Sequence, residues 1–409
     1  VDKTATSPLL RRMNTAAVLD VLRAGGPATG TELMDATGLS RPTVHALCDQ
    51  LIALGWIHEL ESRRTGDRSS PGRRARQYEF NARAGFILGV DLGGEYKATA
   101  MLTDLRGVSL GDGIREFAPP DGGEVRLRAA RRAIADAVRA AGVAKSAILV
   151  MGLAVPGPVN QDKPVVTNAW YLPGLAKVDL GRAVGKGLDC PVLVENDANL
   201  AVLAERWCGV AAGVDNVIEL LAGERMGAGI YLGGNLIRGV VGGAGELELV
   251  SLLNGVVKPS GIGRLARDFG AEVIAAARGP RSKIGRSLLY DAAGGDPAAV
   301  SAEAVFAAAR AGDAVSVDVV DRAVARIAPV LALLGTVLNP ELIVISGGVA
   351  DGGDLLVPRL EHQLSSLIDT LSVPRVTAST LGSRAVVLGA VRRALDHAER
   401  TVFADLTRA

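Results

Sequence analysis

Cysteine is scarce in this 409-residue chain. Cys48, Cys190 and Cys208 are widely spaced and odd in number. That pattern argues against a disulfide framework and fits a reducing compartment. Net charge is also nearly absent, at +1, so no overall field draws the chain to nucleic acid or membrane and any basic patch must be local. No long apolar run exists: the most apolar stretch, 327–338, is too short to span a bilayer, is broken by Pro329 and is followed by Pro340. No charged-then-apolar segment opens the sequence. These shortages predict a cytoplasmic protein with no membrane partner. The length predicts two or three domains with a large core.

The first eighty-odd residues read as a small helical unit. Apolar residues at Ala17, Val18, Val21 and Leu22 predict a helix over 14–23, stopped by Gly25-Gly26-Pro27. A short helix over 32–37 closes at Gly38. A third starts after Ser40, which can cap its orphan amides, and Pro42 is tolerated in its first turn. Val44, Leu47 and Leu51 face inward. Ser40, Arg41, Thr43 and His45 lie at the N-terminal end of this helix, the end that enters the major groove in a helix-turn-helix. Strands at 56–60 and 76–80 would form a wing whose tip carries Arg63, Arg64, Arg68, Arg73 and Arg74, with Arg76 at its edge. Arginines on a Gly/Pro/Ser tip suit phosphate or minor-groove contact. The same pattern also describes a small helical domain with a solvated basic loop. His45 and His58 have no second ligand at useful spacing for a metal.

Beyond Asn81 the pattern changes to apolar strands and alanine-rich helices. Strands are predicted at 86–91, 97–102, 148–155, 191–195, 217–221, 229–232 and 341–346, and helices at 127–140 and 198–207. Two hairpins turn on glycines, at Gly93-Gly94 and around Gly227 and Gly229, and each opens a mixed sheet. This predicts an α/β architecture of two related lobes facing a cleft. Glycine turns let backbone amides approach phosphate oxygens. Asp91 is placed to orient a metal-bound water, and Asp197 to accept a hydroxyl proton. Singly, a Gly-Gly is a turn and an Asn-Asp pair a helix cap. Their order and spacing together are what is specific.

That order resembles the ROK family, which groups sugar-responsive repressors with sugar kinases. Asp91-Leu92-Gly93-Gly94, Gly152-Leu153-Ala154-Val155-Pro156-Gly157-Pro158-Val159, Glu195-Asn196-Asp197-Ala198-Asn199, Gly242-Gly243-Ala244-Gly245-Glu246 and Ile345-Ser346-Gly347-Gly348-Val349 carry the likeness. The resemblance implies a winged helix-turn-helix followed by a two-lobed actin/hexokinase-like (RNase H-like) ATPase fold. It implies a DNA-binding domain at 1–82, a first lobe at 83–205 completed by a helix at about 384–409, and a second lobe at 206–383. Asp197 stands at the catalytic base position of the kinases. Asn168, Asn196, Asp197 and Glu246 would contact sugar hydroxyls. Asp91, Gly93, Gly94, Gly227, Gly229, Gly347 and Gly348 hold nucleotide-loop positions.

Departures from the family pattern matter as much. The first phosphate loop usually reads Asp-x-Gly-Gly-Thr, but Glu95 stands last here, and Glu224-Arg225 replaces a usual Thr-Gly. A carboxylate aimed at a triphosphate repels it by roughly 1–4 kcal/mol at about 4 Å; Arg225 is placed to offset one. Leu249 replaces the histidine of a family zinc site, and no Cys or His lies between Cys208 and His362. Structural zinc needs about four such ligands. No cofactor is therefore expected: no zinc, and ATP is disfavoured. Three functions remain open: a sugar-responsive regulator, an active sugar kinase that also binds DNA, and a regulator that has lost its sugar. The resemblance implies an operator duplex and a small sugar or derivative as partners, and a homodimer or homotetramer.

Overall fold

The structure is a computed structural model that describes residues 7–60, 76–93, 96–118, 122–161, 174–175, 178–247, 260–369 and 372–405. The N-terminal unit runs α1 (Ser7–Gly25), β1 (Ala28–Thr29), α2 (Gly30–Thr37), α3 (Arg41–Ala53), β2 (Ile57–Leu60) and β3 (Gln77–Phe80). Thr29 opens α2 with a reciprocal capping box: its hydroxyl accepts from the Glu32 amide, and the Glu32 carboxylate accepts from the Thr29 amide. Gly38, in the left-handed region, closes the helix. Val44, Leu47, Cys48 and Leu51 of α3 pack inward as their spacing predicts. Ser40 takes the N-cap backbone conformation, but its hydroxyl pairs with Thr43 Oγ1 (2.8 Å) and caps no amide. The wing is three-stranded, because β1 adds to β3.

Two five-stranded sheets follow. The first comprises β4 (Phe86–Asp91), β5 (Lys97–Thr103), β6 (Ser109–Glu116), β7 (Ile148–Val155) and β8 (Val192–Asn196), with helices α4 (Gly123–Ala141), α5 (Leu180–Val184) and α6 (Asp197–Cys208) between and after its strands. The second comprises β9 (Val217–Leu221), β10 (Gly227–Leu232), β11 (Asn235–Leu236), then, after α7 (Ile262–Ala275), α8 (Leu288–Ala292), α9 (Ala302–Arg310) and α10 (Ala314–Leu338), β12 (Leu342–Ser346), α11 (Gly353–Leu367) and β13 (Arg375–Ala378). Strand order is β6-β5-β4-β7-β8 in one and β11-β10-β9-β12-β13 in the other. In both, an antiparallel meander joins a parallel trio through its first strand, so the two lobes repeat one topology. The edge strands β6, β11 and β13 carry too short or too polar a pattern to stand out in the sequence.

The last helix, α12 (Ala385–Asp405), returns to the first sheet. Every residue of β4 is buried, because α4 covers one face and α12 the other. Val387, Val391, Leu395 and Ala398 of α12 share a core with Val18, Leu19 and Leu22 of α1. Arg23 of α1 pairs with Glu399 of α12 at 2.5 Å, and Arg392 donates to the same carboxylate at 2.9 Å. The N-terminal unit is thus seated on the helix that also packs against α6.

Candidate functional site

A cleft of about 350 Å³ opens between the two lobes. The ends of β4 and β8 bring Asp91, Asn196 and Asp197 to its wall, and the β9–β10 turn brings Glu224, Arg225 and Gly227. Glu246 and the Gly347-Gly348 turn complete it. The sequence motifs therefore converge, although more than two hundred and fifty positions separate the first from the last.

Asn196 is both cap and contact. Its Oδ1 accepts from the Asn199 amide (3.0 Å) and so starts α6. Its Nδ2 donates to the Gly157 carbonyl (3.2 Å) and to Glu246 Oε1 (3.4 Å). Asp197 is the first residue of the helix, not its cap, and its Oδ1 accepts from the Ala198 amide at 2.9 Å. Burial pushes the Asp197 carboxyl above its ordinary range, while Arg225 and that amide pull it back. The neighbouring Gly93 sits so close that an added Cβ would lie 3.4 Å from Asp197 Oδ2. Glu246 reaches the cleft through Gly245, whose φ of +85° and approach to the Ala228 carbonyl leave no room for a side chain. Burial, with the nearby Asp197 carboxylate, raises the Glu246 carboxyl to about 7, against a pull downward from Arg225. Two carboxyls and an amide side chain thus offer acceptors and donors to hydroxyl groups.

Glu195 had drawn no role from the sequence, yet it holds the motif in place. It is 1% exposed and accepts from Arg238 Nε (2.6 Å), Asn199 Nδ2 (3.1 Å) and the Asn196 amide (3.1 Å). Its signal was the charge itself: a carboxylate at the end of an apolar strand must be paired when buried.

The phosphate side differs from the expectation. Glu224 lines the cleft, but its carboxylate is held by both Nη atoms of Arg267 on α7 (Nη2–Oε2 2.7 Å). Arg267 is therefore a partner that offsets the charge of this carboxylate. Arg225 lines the same cleft, and its positive charge partly opposes the burial that raises the Asp197 and Glu246 carboxyls. Gly93, Gly227, Gly347 and Gly348 line the cleft. Gly229 does not: it packs on α6, where a Cβ would meet the Ala198 carbonyl at 2.1 Å. Gly94, Glu95, Asn168 and Leu249 lie outside the described residues. The donor set does not fit the family's zinc, because the sequence offers no thiol or imidazole between Cys208 and His362.

On the N-terminal unit, Ser40 and Arg41 are exposed and Thr43 is half-buried at the start of α3. His45 is half-buried, and its Nδ1 lies 3.0 Å from the Tyr78 hydroxyl, so it ties α3 to the wing. Arg76 also ties rather than projects, pairing with Asp49 (2.8 Å) and Glu59 (2.6 Å). Arg63, Arg64, Arg73 and Arg74 lie outside the described residues. No helix among the described residues is long and apolar enough to cross a membrane.

Comparison with known proteins agrees with this layout. An IclR helix-turn-helix domain model matches residues 13–61. A glucokinase from Halalkalibacterium halodurans is 30% identical over 330 residues, 74% of this chain and 93% of that protein. A xylose repressor from Caldicellulosiruptor bescii is 26% identical over 392 residues, 94% of this chain and 95% of its own length. Among solved structures, a ROK family glucokinase from Streptomyces griseus in complex with glucose and AMPPNP is 26% identical, covers 76% of this chain and all of its own, and superposes with a TM-score of 0.65. A ROK family transcriptional regulator, described as a homolog of the E. coli MLC protein, is 22% identical, covers 98% of both chains and gives a TM-score of 0.73, a likeness of fold. The ROK family model itself matches residues 87–397, the span of both sheets and their cleft, and this chain belongs to the ROK family.

Proposed function

We propose that this protein is a DNA-binding regulator, a repressor of carbohydrate-utilisation genes, whose kinase-like cleft takes a small sugar or sugar derivative without phosphorylating it. One observation carries the reading. The helix-turn-helix unit is seated on α12, and α12 packs against α6, whose first turn carries Asn196 and Asp197. A ligand held by Asn196, Asp197 and Glu246 acts on the end of α6, which packs on α12, the helix that shares a core with the DNA-binding head. The full-length match to a xylose repressor supports the same reading. Ligand binding alters DNA affinity only by the free-energy difference with which it prefers one arrangement. Arg41 and Thr43 read bases, while Arg63, Arg64, Arg73 and Arg74 contact backbone phosphates of an operator bound by a dimer. The protein works in the cytoplasm and carries no structural zinc.

A specific observation keeps a second reading in view: the pairing of Glu224 with Arg267 lessens the repulsion that Glu224 would exert on a triphosphate, and Asp197 is still in place. A sugar kinase that also binds DNA is that alternative. Fluorescence anisotropy on a duplex from the protein's own promoter region, with and without a sugar panel, tests the first reading beside a sugar-dependent ATP turnover assay. Sugar-sensitive DNA binding that ignores ATP is expected. Turnover that vanishes in Asp197→Asn overturns it in favour of the kinase.

A further inference from the structure

The seam between α6 of the first lobe and the second sheet holds two carboxyl groups that the cleft does not use. Glu219, in the middle of β9, is fully buried, and neither of its carboxyl oxygens has a hydrogen-bond partner among the described residues. Its register fixes the face it occupies. Glu219 lies opposite Gly229 of β10, and directly opposed residues share a face of the sheet. A Cβ on Gly229 would meet the Ala198 carbonyl and Val202, so that face is the one against α6. Val217, two residues before Glu219, and Val344, its neighbour on β12, form an apolar cluster with Val202. From α6 comes a second carboxyl: Glu205, also fully buried, acts on Glu219 as a like charge. Glu205 is tied down, accepting from the Ser379 hydroxyl beyond β13 and from the Val210 amide (2.9 Å). The buried Ser346 hydroxyl of β12 lies beside Glu219 and is likewise without a partner among the described residues.

Among the described residues no cation acts on Glu219: Arg206 of α6 is paired with Asp215 (2.7 Å), and the charge of Arg384 acts on Cys208 at the end of α6. A carboxylate without a partner in an apolar seam is costly, and a second one nearby adds repulsion. Burial, with Glu205 adding to it, holds the Glu219 carboxyl well above its ordinary range. We infer that this seam is a proton-gated joint between the lobes, packed while Glu219 is uncharged and loosened when Glu219 becomes a carboxylate beside Glu205. Because α6 carries Asn196 and Asp197 in its first turn and packs on α12, a change in its seat reaches both. The competing account makes Glu219 an ionised group satisfied by ordered water, with the same charge in the packed and the open seam. It predicts no proton linkage.

Hydrogen exchange on the full chain separates these accounts. An exposed Glu219 releases its proton near 4.5, whereas the packed seam keeps it to higher pH. Between those values opening releases one proton, so it becomes about tenfold easier for each unit that pH rises. Protection factors of the α6 and β9 amides are to be compared from about pH 6 to about pH 8 in wild type and Glu219→Gln. The glutamine cannot ionise, so the wild-type decline should be the steeper by about tenfold per pH unit. Taking that difference removes other groups that titrate on opening, Asp197 and Glu246 among them. Equal slopes would overturn the inference. In Glu205→Gln the linkage should end at a lower pH, because the like charge is gone while burial remains; an unchanged range would overturn the part assigned to Glu205. If Glu219→Gln does not fold, Glu219→Met, apolar and similar in volume, replaces it. If neither folds, wild type alone decides, and protection that stays flat or rises across the range overturns the inference. No ligand enters the assay, so its failure leaves the proposed sugar response standing.

Discussion

Replacing Glu195 with glutamine removes one charge and almost no volume, so it isolates the role of that charge. In the native protein Glu195 is 1% exposed, and its partner Arg238 keeps 27% of its side chain accessible. Arg393 of α12 also lies in the field of this pair. With the carboxylate gone, Arg238 loses its counterion and faces Arg393 as a like charge. Breaking a fully buried pair costs about 3–5 kcal/mol, and the partial exposure of Arg238 brings the expected loss to about 2 kcal/mol. Urea unfolding should therefore show Glu195→Gln with a lower midpoint and an unchanged slope. The double variant Glu195→Gln with Arg238→Met removes the stranded cation and should recover most of the loss, a non-additivity of about 1–2 kcal/mol. Ligand affinity should fall in the single variant as well, because Glu195 accepts from the Asn196 amide and from Asn199. A single variant within about 0.5 kcal/mol of wild type, or strict additivity in the double, would refute this account of Glu195.

Two further outcomes follow from the same geometry. The Glu246 carboxyl binds its proton up to about pH 7 in the folded chain and only to its ordinary range near 4.5 when unfolded; between those values the folded state holds more protons, so its contribution to stability falls as pH rises. Glu246→Gln should flatten the stability profile across that window, and an unchanged profile would show that Glu246 does not titrate there. Glu399→Ala breaks the contact with Arg23 and Arg392; it should leave ligand affinity within about twofold while changing the ligand's effect on DNA binding severalfold, and a variant with a wild-type response would exclude this contact from the coupling.

Local patterns in the sequence were sufficient wherever period and turn chemistry agree. The inward face of α3, the strands β4, β7, β8 and β12, and both glycine hairpins follow from spacing alone. The Thr29 and Glu32 capping box was equally readable, yet the start of α2 was placed at the later residue. Other features needed the tertiary structure. Nothing in the order of residues shows that Arg267 would reach Glu224 across forty-three positions, or that His45 would turn to Tyr78. Gly229 misled for a related reason: in a glycine-rich turn the sequence does not distinguish a glycine that admits a ligand from one that admits a helix. The candidate site was legible as a set of residue types, whereas the charge balance within it was set by long-range pairs.

That charge balance also bears on how the fold can serve as a sensor. In a kinase of this architecture the cleft must hold a sugar and a triphosphate together, and the phosphate turns stay open to both. Here the second turn brings Arg225 to the cleft that holds the Asp197 and Glu246 carboxyls and fastens Glu224 to α7. The positive charge of Arg225 in one lobe acts on Asp197 in the other. Because α6 packs on α12 and α12 carries the DNA-binding head through a shared apolar core and the Arg23–Glu399 contact, a change at the cleft has a continuous packed route to the head. The route consists of two helices in direct contact, so rotating either one must repack the seat of α1.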